Sequence, residues 1–142
     1  MRIAQVMTRG VRTVPASMPA WQAWELMRRV NIHHLVVLDA HEIVGVLSDA
    51  DAGGPSGGNL RAGTTVGHLM TPHVTGAAPT DSVRAVARRM HSLKLECLVV
   101  ISRGQLVGIV TLTDLLRVLA EGPAVDESMA RRAANQGTGS DR

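Results

Sequence analysis

Ser48-Asp49-Ala50-Asp51 and Thr111-Leu112-Thr113-Asp114 place a hydroxyl three residues ahead of a carboxylate, twice in one chain. A carboxylate is the natural acceptor for two vicinal hydroxyl donors, so Asp51 or Asp114 suits a ribose. The Ser or Thr hydroxyl reaches the same side of the turn and can donate to a phosphate oxygen. Where a helix starts at the aspartate, its free amides favour an anion. The same spacing also makes a plain helix cap. Other reactive types offer less. The histidines show no zinc-ligand spacing with cysteine or carboxylate partners, and His33-His34 reads as a half-buried, half-exposed pair at a strand start. Cys97 is the only cysteine, so no intramolecular disulfide can form and a cytoplasmic setting is expected. Its neighbours Leu95, Glu96, Leu98 and Val99 predict an inert core thiol. No nucleophile–base pair or catalytic carboxylate pair can be built from the motif residues, so the chain is not expected to be an enzyme.

The elements that carry these motifs come in duplicate. One constant shift lays Met7-Thr8 on Met70-Thr71, Val11 on Val74, Met27 on Met90, Leu35-Val36-Val37 on Leu98-Val99-Val100, Val44-Gly45 on Val107-Gly108 and Asp51 on Asp114. An ordered, gapless set of this kind is a duplication. Each half reads as an extended lead-in (Gly10–Val14, His73–Ala77), a Pro turn (Pro15, Pro79), a helix, and two short strands. Ser17 and Thr80 stand where helix N-caps are expected. Trp21, Trp24, Met27 and Val30, and then Val83, Val86, Met90 and Leu93, have helical spacing and face a core or a subunit contact. The strands are expected at Leu35–Leu38 with Ile43–Leu47, and at Leu98–Ile101 with Leu106–Val110, as antiparallel hairpins covered on both faces. The second half continues into a helix over Asp114–Ala120; the first runs into Ala52-Gly53-Gly54-Pro55-Ser56-Gly57-Gly58, which disfavours a helix. The division is then residues 1–51 as repeat one, 52–65 as a Gly-rich loop, 66–121 as repeat two, and 122–142 as a polar tail with a short helix around Glu127–Ala134.

Composition removes several classes. Trp21 and Trp24 are the only aromatics, which argues against base-stacking RNA or single-strand sites. The net charge is +3, Lys94 is the only lysine among 15 basic residues, and no helix-turn-helix or basic stripe stands out, so no nucleic-acid partner is expected. The start of the chain lacks a signal-peptide apolar region, and no run approaches the roughly 20 residues of a membrane span.

A Met-Thr lead-in, a Pro turn, an amphipathic helix, an apolar hairpin with Val-Gly, and Ser/Thr-x-x-Asp, all given twice, resembles the cystathionine β-synthase (CBS) domain pair, the Bateman module. The matching segments are Val6–Asp51 and Leu69–Leu116. The resemblance implies an α/β (α+β) fold of two tandem repeats related by pseudo-two-fold symmetry, with two clefts between them. It also implies a regulatory ligand containing adenosine, such as AMP, ADP, ATP or S-adenosylmethionine, with no cofactor required. Each implied cleft is composite. One takes Thr111, Asp114 and Ile109 with Val14, Ile32 and His33; the other takes Ser48, Asp51 and Val46 with Ala78, Leu95 and Glu96. Glu96 stands where His33 stands in the first half, and its charge would repel a polyphosphate.

The resulting expectation is a ligand sensor that acts on a separate effector protein; a dimerisation or scaffold module with degenerate sites is the alternative. A homodimer is expected through the stripes Trp21/Trp24/Met27 and Val83/Val86/Met90. The Asp114 cleft is expected to bind more tightly, because Asp51 leads into a Gly-Pro loop and Asp49 brings a second carboxylate near it.

Overall fold

Both hairpins form where apolar runs flank a two-residue turn. In the computed structural model, which describes residues 1–72 and 75–122, β2 (His34–Asp39) pairs antiparallel with β3 (Glu42–Ser48), and β6 (Cys97–Ser102) with β7 (Gln105–Thr111). The turn residues Ala40-His41 and Arg103-Gly104 all have positive φ, the left-handed pair whose twist matches a hairpin. A short lead-in strand lies parallel beside each hairpin: β1 (Thr13–Pro15) on β2, and β5 (Gly76–Ala77) on β6. Thr71–Pro72, β4, closes the first sheet in the order β1-β2-β3-β4; the second is β5-β6-β7. His73, Val74 and the tail from 123, including the helix expected near Glu127–Ala134, lie outside the described residues.

The helices are α1 (Ala20–Val30) and α4 (Val83–Leu93), the single turns α2 (Gly58–Arg61) and α3 (Val66–Leu69), and α5 (Leu112–Glu121). The N-caps differ from those expected at Ser17 and Thr80. Pro19 precedes α1 with no side-chain cap, and Ser82 caps α4 by accepting from Ala85 N at 3.0 Å. Ser17 and Thr80 instead sit inside tight turns closed by Met18 N to Pro15 O and Asp81 N to Ala78 O, so each helix starts later. α5 begins at Leu112, ahead of the expected Asp114, because Thr111 is its N-cap.

Strand alternation sends neighbouring side chains to different cores. Leu35, Val37 and Leu47 pack with Ala23 and Met27 under α1, while Leu98, Val100 and Val110 pack with Val86 and Met90 under α4. Val36, Val46, Val99 and Ile109 meet between the two sheets. Both faces are thus covered, as the continuous apolar runs require. The helix stripes are consumed within the chain: Met27, Val86 and Met90 are buried, which corrects the expectation that they form a dimer face. Only their outer members, Trp21 at 54% and Leu93 at 55%, stay exposed.

Sequence halves and packing halves differ at their edges. Ile3 and Val6, in a 3-10 turn at the start of the chain, belong to the core under α4. Their counterparts Val66 and Leu69 belong with the core under α1. Each Met-Thr lead-in therefore crosses to the other half. Thr71 pairs with Val46 and Thr8 with Ile109. The crossings explain the glycine in each Val-Gly pair. A Cβ on Gly45 would lie 2.7 Å from Thr71 O, and one on Gly108 would lie 2.7 Å from Thr8 O.

After Asp51 the chain turns through residues 52–57 with Gly53 and Gly54 at positive φ, then makes the single turn α2 within the expected loop. Arg61 holds this loop. It is 7% exposed, donates from Nη1 to the carbonyls of Ala52 and Gly54 at 2.7 Å each, and lies over the Trp24 ring at 4.3 Å. Those bonds and the ring satisfy a cation that would otherwise be costly to bury.

Candidate ligand-binding clefts

Both Ser/Thr-x-x-Asp turns close on themselves as reciprocal caps. Asp114 N donates to Thr111 Oγ1 at 3.2 Å, and Thr111 N donates to Asp114 Oδ2 at 2.9 Å. Asp51 N donates to Ser48 Oγ at 2.9 Å, and Ser48 N to Asp51 Oδ2 at 3.0 Å. The crossing Met-Thr segments add a second donor to each carboxylate. Thr8 Oγ1 donates to Asp114 at 3.1 Å, and Thr71 Oγ1 to Asp51 at 3.2 Å. The hydroxyls of Thr111 and Ser48 accept in these caps and keep their own protons free to donate. Here the symmetry ends. Arg117 Nη2 reaches Asp114 Oδ1 at 3.1 Å and Val6 O at 3.2 Å, whereas Gly54 occupies its register position in the first half.

The Asp114 cleft is a cavity of about 450 Å³, inside the size range of small-molecule sites. Thr111, Asp114 and Ile109 line one side; Ile32 and His33 line the other. Val14, expected beside them, is 3% exposed within the core under α1 and does not line the cleft. Thr8, Arg9, Arg12 and Arg117 complete the walls. The second cleft, about 200 Å³, gathers Ser48, Asp51, Val46, Leu95 and Glu96, with Thr71, Lys94 and Cys97. Ala78 lines neither cleft.

Charge separates the two. Arg9, Arg12 and Arg117 correspond in register to Pro72, Thr75 and Gly54, so the guanidinium cluster exists once. Sequence comparison of the halves passes over it for that reason, although the repeated Met-Thr pairs do signal Thr8 and Thr71. Asp49, expected to burden the Asp51 cleft, instead faces the Asp114 cleft, where it meets His33 Nδ1 at 2.9 Å. In the smaller cleft Lys94 is opposed by Glu96.

His34 lines both clefts. Burial holds its imidazole below the ordinary 6.5, and His33 adds to this against the opposing pull of Asp49, Asp51 and Asp114. The folded state therefore favours neutral His34. Below pH 6.5 the unfolded chain takes up a proton that the folded chain resists, so stability falls on acidification through that range. A His34→Gln protein is expected to lose part of this slope in melting temperature between pH 7 and 5; an unchanged slope would assign it to other groups. Burial first, then Asp114, pushes the Cys97 thiol up to about 12, leaving it a poor nucleophile at neutral pH.

The comparisons with known proteins agree with this architecture. The CBS domain family matches residues 3–52 and 66–121. A CBS domain-containing protein of Bacillus subtilis (strain 168), YhcV, is 27% identical over 114 residues, covering 80% of this chain and 81% of that protein. Among solved structures, the CBS domain pair of protein MJ0100, in complex with 5′-methylthioadenosine and S-adenosyl-L-methionine, superposes with a TM-score of 0.72 at 23% identity, over 84% of this chain and 96% of that one. A protein with CBS domains from Burkholderia ambifaria MC40-6 gives 0.69 at 25% identity, over 87% and 95%. A hexameric CBS-CP12 protein from bloom-forming cyanobacteria gives 0.73 at 22%, over 96% and 79%. Two matched segments, two crossed repeats and two motif turns leave one reading: the chain belongs to the CBS domain family, with two CBS domains in tandem.

Proposed function

We propose that this chain is a cytoplasmic regulatory CBS pair that binds an adenosine-containing ligand in the Asp114 cleft and reports it to a separate effector protein. The observation that carries the reading is the convergence of Asp114, the Thr111 hydroxyl and three arginines on one cavity. A ribose diol needs the first, and a phosphate or carboxylate of the ligand needs the others. The MJ0100 pair, similar in fold, holds two adenosine compounds, which supports the same ligand class here. The protein acts by binding, not by catalysis.

Seating the ribose has a structural consequence. Asp114 is 3% exposed, and its oxygens already accept from Thr111, Thr8 and Arg117. A diol takes over the positions of Thr8 or Arg117, and both hold the first residues of the chain in place. Ligand binding thus loosens or re-seats that segment, which is what an effector reads. The exposed apolar residues Trp21, Leu93, Leu112, Leu116 and Leu119 provide the surface for a homodimer.

The test is thermal shift and calorimetry with AMP, ADP, ATP and S-adenosylmethionine. A ligand at ~100 times its dissociation constant adds ~2.7 kcal/mol to apparent stability. Arg12→Gln is expected to weaken a phosphorylated ligand by ~1–3 kcal/mol, the worth of a charge-assisted hydrogen bond, without disturbing the Asp114 cap. No stabilisation by any of the four compounds would favour the scaffold reading. Glu96 and the missing helix after Asp51 support that reading for the smaller cleft alone.

A further inference from the structure

The Asp114 cleft does not end at His33. A groove of about 630 Å³ between α1 and the Gly-rich loop shares Asn31, Ile32, His33 and Asp49 with it. Beyond that common wall the groove runs past Trp24 and Arg28 on one side and Gly54 and Pro55 on the other. The two cavities are neighbouring chambers divided by one side-chain layer. Its His33–Asp49 pair is largely open to solvent, with side-chain exposures of 67% and 44%.

We infer that the two chambers together take a dinucleotide, two nucleosides joined through phosphates, with adenosine at Asp114 and the second nucleoside in the groove beside Trp24. The inference rests on reading the Asp114 cleft as an adenosine site. Each chamber falls within the ~300–1,000 Å³ of small-molecule sites, and a mononucleotide occupies only one of them. The charges follow the path of a phosphate bridge. Arg9, Arg12 and Arg117 line the first chamber and Arg28 the second. Among the described residues, Arg9, Arg12 and Arg28 form no ion pair, and Asp49 is already engaged by His33. A diphosphate carried between the chambers meets cations on both sides, with the one carboxylate at the junction, Asp49, hydrogen-bonded to His33.

The groove is also rigidly built. Arg61 ties its two walls together, bonding Gly54 O and Ala52 O on the loop while stacking on Trp24 of α1. Within the loop, a Cβ on Gly57 would lie 2.6 Å from Gly53 Cα, so the wall folds back tightly upon itself. A preformed chamber spares a ligand the cost of ordering it. Among the described residues no such groove adjoins the other cleft, because in the second half α5 runs straight through Asp114 in place of a loop.

Calorimetry with AMP, ADP-ribose, NAD⁺ and diadenosine diphosphate tests this on the intact chain. The dinucleotides are expected to bind at least about tenfold more tightly than AMP, with ADP-ribose between them. Arg28→Glu, outside the Asp114 cleft, is expected to remove that advantage while leaving AMP affinity within about twofold. Circular dichroism of the variant checks that α1 is intact. If AMP binds and the dinucleotides bind no better, or if Arg28→Glu leaves their advantage in place, the extension is overturned and the adenosine reading stands. If neither AMP nor any dinucleotide binds, the extension is overturned, and ADP, ATP and S-adenosylmethionine then decide the adenosine reading.

Discussion

Asp114→Ala is expected to cost about 2–4 kcal/mol in stability, several times the cost of Asp51→Ala. The buried carboxylate accepts from Thr111 N, Thr8 Oγ1 and Arg117 Nη2. The N-cap bond from residue 114 N to Thr111 Oγ1 survives the substitution, but the buried Thr111 amide left without its acceptor costs about 1–3 kcal/mol and the lost Thr8 hydrogen bond about 1 kcal/mol. The Arg117 contribution is small, because its side chain is 43% exposed and can turn to water. Asp51 holds the equivalent cap, yet it is only half-buried and its Thr71 donor is exposed, so water replaces what the alanine removes. About 1 kcal/mol is expected there. Urea denaturation of the two variants measures both. Equal losses would mean that burial does not distinguish the two turns.

Gly108→Ala is expected to be as damaging although it removes nothing. The added methyl would stand 2.7 Å from Thr8 O and 3.0 Å from Met7 Sδ. The methionine can turn away; the carbonyl cannot, because it accepts from Ile109 N at 3.0 Å while Thr8 N donates to Ile109 O at 2.7 Å. Overpacking of this kind costs about 1–3 kcal/mol, and here the upper part of that range applies. The strain is released by lifting residues 1–8 from β7, so Thr8 leaves Asp114 as well. Hydrogen exchange at the Thr8 and Ile109 amides should speed up more than at Val36 or Leu47. Uniform acceleration across the chain would show global loss without local detachment.

Most of the secondary structure was legible from periodicity and duplication. The hairpins, the two long helices and the motif turns each had a local cause: apolar alternation, a two-residue turn, a helical stripe, a hydroxyl three residues before an aspartate. Partnership was not legible. Nothing in the repeated pattern shows that Ile3 and Val66 are each buried in the core of the other half. The helix starts after Pro19 and Ser82 escaped because the turns after Pro15 and Ala78 delay the helices by a few residues. The cleft residues Arg9, Arg12 and Arg117 escaped for the opposite reason. They break the repeat, and a search for what the halves share cannot find what only one possesses. Arg61 was hidden among Gly-rich residues, where nothing local announces a buried cation. Val14 shows the reverse error: the position was assigned by resemblance, while the side chain points into the core under α1.

The exchanged lead-in segments also bear on the order in which the chain can fold. Thr8 and Ile3 emerge early from the ribosome, but their docking partners, Ile109 on β7 and Asp81 before α4, are made much later. Residues 1–8 must therefore wait, unburied, until β7 has been made. The sheet of the first hairpin also stays open until Thr71 arrives to pair with β3. Closing such sequence-distant contacts is entropically slow. Neither half reaches its final core alone, and the last step of folding is the return of the first residues to a surface completed near the other end of the described chain.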